Sequence, residues 1–334
     1  MCSALSDQRP GDLHCDEPLF RNYPGVEDQE IAETELQGHL DNGHLLAFDR
    51  YEQLQEDAGG ESVLSKIGLI VKTRNGITKT RMVLDTKESG VKWITAKTER
   101  ATLPRLFDAV MRLLFLLSMA QSACEAVSSF VLDFSDAFWQ IPIREEELRF
   151  FRGTSILRGK RQYLVFLRAA QGSANAPLLW ARLAALISRL TQSLFLPEEV
   201  NFMCYVDDPL AALRGTDEAR MMNAAIMVLV WEALSFKLAF ARGQLDKTVT
   251  WVGGTLACEP EGVRATVKEA IVSDIRGDLP LIMGQNITSK KELHSLRGKR
   301  GTSVVCCVHG RPKGFQERTH DNQQTGGMPK LADE

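Results

Sequence analysis

Several familiar signatures are missing from this 334-residue chain. Its opening segment, MCSALSDQRPGDLHCDEPLF, lacks the basic-then-apolar order of a secretory leader. The greasiest run, 113-LLFLLSMA-120, is too short to cross a bilayer and follows Asp108 and Arg112, so it reads as a buried helix and no membrane partner is expected. No Cys-x-x-Cys pair occurs among the seven cysteines, and none is spaced with histidine as a zinc site requires. Cys2, Cys15, Cys124, Cys204, Cys258, Cys306 and Cys307 therefore read as reduced thiols of an intracellular protein, in the cytoplasm or the nucleus. Nor is there an excess of positive charge: 40 basic residues against 43 acidic ones leave a net charge of −3, so any groove for nucleic acid has to be local. No internal repeat is present. What the chain does have is a hydrophobic fraction of 44%, enough for one large domain or two to three subdomains.

Residues 1–28 are polar and rich in turn formers and are expected to be disordered. From residue 29 the run EIAETELQGHLDNGHLLAFDRYEQLQ has helical spacing, interrupted at Asn42-Gly43. Two strand-like runs, 63-VLSKIGLIVKT-73 and 77-ITKTRMVLD-85, flank Arg74-Asn75-Gly76, the strongest short hairpin signal in the chain. That hairpin concentrates Lys66, Lys72, Arg74, Lys79 and Arg81, a basic cluster hidden by the overall charge. A helix is predicted from Thr102 to about Ala120 with Pro104 in its first turn, then a short buried strand 129-SFVLD-133. A hairpin is predicted over 150–167, turning near Arg158-Gly159-Lys160, and a helix over 177–195 beginning at Pro177. Next come a strand carrying Tyr205, a helix from Thr216 to Leu234, strands 248–256 and 262–267, and a capping box at Ser289–Glu292 that opens a last helix. Strands without regular crossover helices imply an α+β domain built on an antiparallel sheet.

The chemistry begins at 204-CYVDDPL-210, where Asp207 and Asp208 follow a run that reads as a buried strand. Adjacent carboxylates at the end of an apolar segment repel each other and resist desolvation, and the usual remedy is a cation. A third carboxylate is supplied by 131-VLDFSDAFWQIPI-143, in which Asp133 ends an apolar strand while Ser135 and Asp136 are placed to cap a following helical turn. If the strands of Asp133 and Asp207 are neighbours in one sheet, the pair can hold hard divalent ions through oxygen. Two such ions, about 3.5–4 Å apart, are the common device for in-line phosphoryl transfer. Mg²⁺ is the natural ion, with Mn²⁺ its substitute. Two capping aspartates at strand ends are the bland alternative.

These residues resemble reverse transcriptases, in particular those of retroelements. Tyr205-Val206-Asp207-Asp208 looks like the family's Tyr-x-Asp-Asp turn, 131-VLDFSDAFWQIPI-143 like its first palm motif, and 171-QGSANAP-177 like the Gln-Gly…Pro motif before the palm helix. Arg81 with 83-VLD-85 looks like the fingers strand, and Lys237 in 234-LSFKLAF-240 and 251-WVGGTL-256 resemble two later palm elements. Tyr-x-Asp-Asp alone is only suggestive; the ordered set over roughly residues 60–260 is far more specific.

The resemblance implies a right-hand fold of fingers and palm and RNA-directed DNA synthesis: deoxynucleoside triphosphates are added to the 3′-hydroxyl of a DNA or RNA primer on an RNA template. It implies the metal ligands Asp133 and Asp207, helped by the backbone carbonyl of Phe134, with Asp208 tuning the site from its edge. Phe138 would lie under the incoming sugar and exclude a 2′-hydroxyl, although an aromatic core residue explains it too. Gln171 and Gly172 would contact the nucleotide and the template side. Arg81 and one of Lys72 or Arg74 would grip the β- and γ-phosphates. Lys66, Lys79 and Lys87 read better as a solvated face. Asp136 matches a position near the triphosphate, and a helix cap explains it about as well. Lys237 would protonate the departing pyrophosphate or is a surface lysine. Trp139, Trp180 and Trp231 read as core.

The implied organisation is fingers over 29–95 and 144–170, palm over 96–143 and 171–256, the start of a thumb over 257–298, and a disordered or degenerate tail over 299–334. Little length is left for a helical thumb, no ribonuclease H constellation follows, and nothing resembles a protease or integrase. A truncated chain is therefore expected, completed by a partner chain or by missing downstream domains. The rival readings are a catalytically inactive remnant that at most binds nucleic acid, and a metal-dependent phosphotransferase with no use for Gln171 or Arg81.

Overall fold

The computed structural model describes residues 20–26, 30–59, 62–74, 77–96, 99–123, 125–267, 269–284 and 289. In chain order the elements are α1 (Glu30–Asp41), β1 (Leu45–Phe48), α2 (Tyr51–Ala58), β2 (Lys66–Arg74), β3 (Ile77–Asp85), α3 (Val91–Ile94), α4 (Leu106–Ala123), β4 (Ala126–Val131), β5 (Arg152–Leu157) and β6 (Lys160–Phe166). They continue with α5 (Ala176–Gln192), β7 (Val200–Tyr205), β8 (Asp208–Gly215), α6 (Asp217–Ala233), β9 (Gln244–Asp246), β10 (Thr248–Trp251), β11 (Gly254–Glu259), β12 (Gly262–Val267) and α7 (Glu269–Met283).

The element that positions the chemistry is an antiparallel four-stranded sheet in the order β7-β8-β4-β9. Side chains alternate across a strand, and here both sets are buried. Val127, Val131, Met203, Leu210 and Ala212 face α4 and the three-stranded sheet β10-β11-β12. Phe130, Leu132, Phe202, Ala211 and Leu213 face α5 and α6 on the other side. A strand covered on both faces loses its polar alternation. That is why 208-DPLAALRG-215 gives no strand signal of its own yet forms β8 at the sheet's centre.

A second apolar centre joins α1, the hairpin β2-β3 and the sheet β1-β6-β5 through Leu36, Ile67, Met82, Leu84, Leu164 and Phe166. The β5-β6 turn falls at Arg158-Gly159, both left-handed (φ 53° and 72°), which is the twist a tight antiparallel hairpin favours.

Several expectations need correction. After Asn42-Gly43 the chain does not resume a helix: Leu45–Phe48 is a strand paired with β6, and α2 begins only at Tyr51. Pro104 precedes α4 rather than lying in its first turn, and the Arg105 N–H donates to the Asp108 carboxylate at 2.7 Å. The run 248–256 is two strands, reversed at Val252-Gly253 (φ 45° and 76°). Residues 20–26 are packed: Val26 is buried and the Asn22 side chain accepts from the Ile67 N–H at 2.9 Å. The Asn75-Gly76 turn, most of the Ser289–Glu292 capping box and the tail from Lys299 lie outside the described residues.

Candidate active site

Tyr205 pairs with Asp208, so Val206 and Asp207 form a two-residue turn between β7 and β8. Val206 sits at φ 56°, a left-handed conformation that a β-branched residue resists and glycine accepts. Tertiary hydrogen bonds hold it there. The indole N–H of fully buried Trp180 donates to the Val206 carbonyl at 2.6 Å, and the Phe134 N–H donates to the Asp207 carbonyl at 2.9 Å. The second bond ties the turn to the chain just beyond β4, where Asp133 lies. Two aspartates distant in sequence are thereby delivered to one end of one sheet.

Asp133 is partly buried. Its Oδ2 accepts from Nη1 of Arg242 at 2.6 Å, and its carbonyl accepts from the Ala239 N–H at 2.9 Å. The Ser135 N–H donates to the Lys237 carbonyl at 2.8 Å. These two backbone bonds flank the bridge between Phe134 and Leu238, and neither uses the Phe134 carbonyl. The Phe134 ring anchors the segment against Trp180, Trp231 and Phe236.

The carboxylates are electrostatically uncomfortable. Burial, reinforced by the charge on Asp133, pushes the Asp207 carboxyl above its ordinary range even though the turn is open to solvent on one side; Arg81 and Arg242 pull it back. Asp208 is pushed up to about 7, first by burial and then by the charges of Asp133 and Asp207. The indole N–H of Trp251 holds the Asp208 carbonyl at 2.9 Å, while the side-chain Oδ1 of Asp208 is buried without a hydrogen-bond partner. Such an orphaned oxygen among like charges is chemically fitted to a hard cation. Among the described residues no three carboxylate, imidazole or thiolate side chains converge into a ready-made cage, and the cation seated on Asp133 is Arg242.

Around this cluster the hairpin supplies positive charge. In the β2-β3 register Lys72 lies opposite Lys79 and Ile70 opposite Arg81, so Lys72, Lys79 and Arg81 share the exposed face opposite buried Met82 and Leu84. Lys79 is exposed on the same face as Arg81, while Lys66 is paired with Glu88 at 2.5 Å. Arg74 lies on this strand next to the undescribed turn. Gln171 bridges to Val83, and its carbonyl accepts from the Leu84 N–H at 2.8 Å. Gly172 follows at φ 94°, and a Cβ there would lie 2.4 Å from the Leu84 carbonyl oxygen. Only glycine lets β3 and the α5 approach dock this closely.

Asp136 is exposed at φ 49° and makes no side-chain cap to the 3-10 turn Ala137–Gln140, so helix capping does not account for it. Phe138 is half-buried, packed against the α5–α6 core. Lys237 is exposed, and its backbone N–H donates to the Gln140 side chain at 3.1 Å. Trp139 is buried beneath stacked His39 and His44. Sequence reasoning missed Arg242. In 236-FKLAFARGQLDK-247 it is one of three basic residues, with no periodicity to single it out.

Two cavities lie nearby. One of about 660 Å³ skirts the free edge of β7, between the segment before α4 and α5, and reaches Val206. The other, about 550 Å³, lies between Ile141–Ile143, Phe150 and the Leu179–Leu183 face of α5. Among the described residues no helix is long and apolar enough to cross a membrane.

Comparison with known proteins places this geometry in context. The family model described as "Reverse transcriptase (RNA-dependent DNA polymerase)" matches residues 72–242. Among curated proteins none matches the chain. Solved structures share its fold at low identity. A foamy viral protease-reverse transcriptase dRH in complex with double-stranded DNA is 19% identical with a TM-score of 0.55, over 84% of this chain and 41% of that one. A second foamy viral protease-reverse transcriptase with double-stranded DNA is 19% identical with a TM-score of 0.53, over 84% and 49%. The chain therefore spans less than half the length of these structures.

Proposed function

The chain belongs to the reverse transcriptase family, and from that membership we propose that it is an RNA-directed DNA polymerase domain that adds deoxynucleotides to a primer 3′-hydroxyl. The observation that carries this reading is the strained Val206 turn, which hydrogen bonds from Trp180 and Phe134 hold so that Asp207 lies within the electrostatic reach of Asp133 and of Arg81.

Asp133, Asp207 and the backbone carbonyl of Phe134 are the groups that would hold divalent ions, Mg²⁺ by preference and Mn²⁺ as substitute. When bound there, such ions would supply the chemistry of lowering the pKa of the attacking hydroxyl and neutralising the departing pyrophosphate. The bond formed joins the primer 3′-oxygen to the α-phosphorus, and the bond broken is that to the pyrophosphate oxygen. Arg81 with Lys72 or Arg74 grips the β- and γ-phosphates. Phe138 closes the space under the sugar against a 2′-hydroxyl. Gln171 and Gly172 position the nucleotide against the template, and Lys237 supplies the proton taken up by pyrophosphate. The nucleic-acid partners, an RNA template and a DNA or RNA primer, fit a family whose foamy viral members are described in complex with duplex DNA.

Primer extension on a primed RNA template is the test. Removing one ion-binding carboxylate forfeits several kcal/mol of transition-state stabilisation, so Asp207→Asn should cut incorporation by about 10³-fold. Unaltered extension by that variant would reject the assignment. A second reading, a fold that binds nucleic acid without polymerising, is favoured by the ion pair of Arg242 with Asp133. Wild-type protein inert with both Mg²⁺ and Mn²⁺ but binding RNA in a salt-sensitive manner would select it.

A further inference from the structure

Resting on the reading of Asp133 and Asp207 as the ion-binding pair, we propose that Arg242 is the resident counter-cation of the carboxylate cluster, seated on Asp133 when no divalent ion is bound and displaced when one binds. Three observations carry this. The first is geometric: Nη1 of Arg242 lies 2.6 Å from Oδ2 of Asp133, a charge-assisted bond on an oxygen that an ion would need. The second is the way the arginine is delivered. The Ala239 N–H donates to the Asp133 carbonyl at 2.9 Å, and the Arg242 N–H donates to the Ala239 carbonyl at 2.9 Å. The 3-10 turn Phe240–Arg242 is therefore anchored through the backbone to the residue that its side chain neutralises. The third is exposure: the Arg242 side chain is 58% exposed against 24% for that of Asp133. The guanidinium lies over the carboxylate from the solvent side and can swing out without disturbing the core.

Competition follows from charge. A divalent ion brought to Asp133 loses the oxygen that Arg242 holds and is repelled by the guanidinium beside it. Without the arginine, Asp133 would repel Asp207 and Asp208 with no cation hydrogen-bonded to it. The device keeps the ion-free cluster tolerable at the expense of ion affinity.

The test is Mn²⁺ titration of the full chain, followed by calorimetry and by the spin-resonance signal of free Mn²⁺, with thermal melts in chelator and in Mn²⁺. R242Q should bind Mn²⁺ about two- to fivefold more tightly than wild type, the range corresponding to an exposed ion pair. Its melting temperature should also rise more on adding Mn²⁺. R242K, which keeps the charge but loses the planar fork, should fall between them and serves if R242Q does not fold. R276Q removes the same charge from α7, where Arg276 pairs with Glu269, and should bind as wild type. Equal or weaker Mn²⁺ binding by R242Q would overturn the proposal. Absence of Mn²⁺ binding in both wild type and R242Q would overturn instead the ion-binding reading on which it rests.

Discussion

Two of the places where the chain buries ionisable groups treat them in opposite ways. Near the sheet β1-β6-β5, Arg152 is 1% exposed, yet its guanidinium is satisfied: it donates to the Leu54 carbonyl, to Asp57 at 2.9 Å and to the Leu148 carbonyl at 3.3 Å. At the end of the four-stranded sheet, Asp208 is held among two other aspartates with one side-chain oxygen unpartnered. Burying a charge is costly unless it is paired, so the first arrangement is architecture and the second, on the function proposed above, is a site kept for chemistry. The backbone shows the same division. The left-handed residues at the β5-β6 turn, Arg158-Gly159, suit a tight hairpin, whereas Val206 is forced into a glycine-like conformation where the carboxylates must be presented.

If this division is right, substitutions in the two regions should differ in sign. The largest effect is expected at Arg152. Replacing it with Met leaves Asp57 and two carbonyls unpaired and should destabilise the fold by about 3 kcal/mol in urea unfolding. A loss below about 1 kcal/mol would mean that the network is incidental.

The second prediction concerns Asp208. Its folded-state pKa, near 7, lies above the ordinary 3.8. Between those values the folded chain keeps a proton that the unfolded chain has released, so stability should fall as pH rises through this window. Asp208→Asn should reduce that fall, the remainder coming from Asp207, and stabilise the ion-free protein at pH 8. Destabilisation by this variant at pH 8 would place Asp208 with Arg152 as architecture.

The smallest effect is expected at His44, stacked on Trp139 and in hydrogen-bond contact with His39 through their Nδ1 atoms at 3.0 Å. Burial, with the neighbouring His39 and Lys237, lowers its pKa from 6.5 to about 4. Below 6.5 the unfolded chain takes up a proton that the folded chain refuses, so this region should lose stability as pH falls towards 4. His44→Gln should remove the loss of stability that His44 contributes as pH falls from 6.5 towards 4, leaving in place the opposite trend that Asp208 sets between pH 3.8 and about 7.

Much of this architecture is legible in the amino-acid sequence alone. The ordered motifs at Arg81, Asp133, Gln171, Tyr205 and Lys237 indicate the family, and the hairpins at 63–85 and 150–167 follow from turn chemistry. Elements hidden from the sequence share a cause. β8 is buried on both faces and carries no alternation, and β1 follows a helix so closely that its four residues blend into helical spacing. Arg242 has no motif at all: its significance arises only when the chain beyond α6 folds back along Asp133.

The sequence by itself determined which side chains are chemically able to act, because carboxylates, guanidinium groups and the glycine at 172 are set by residue type. It also determined most local structure, because turn and helix signals act over a few residues. Tertiary structure alone decided that Asp133, Asp207, Asp208, Arg81 and Arg242 share one electrostatic site. Proximity between distant segments is created by the β4–β8 register and by the hydrogen bonds of Trp180 and Phe134, and the costs of desolvation and repulsion exist only once those segments meet.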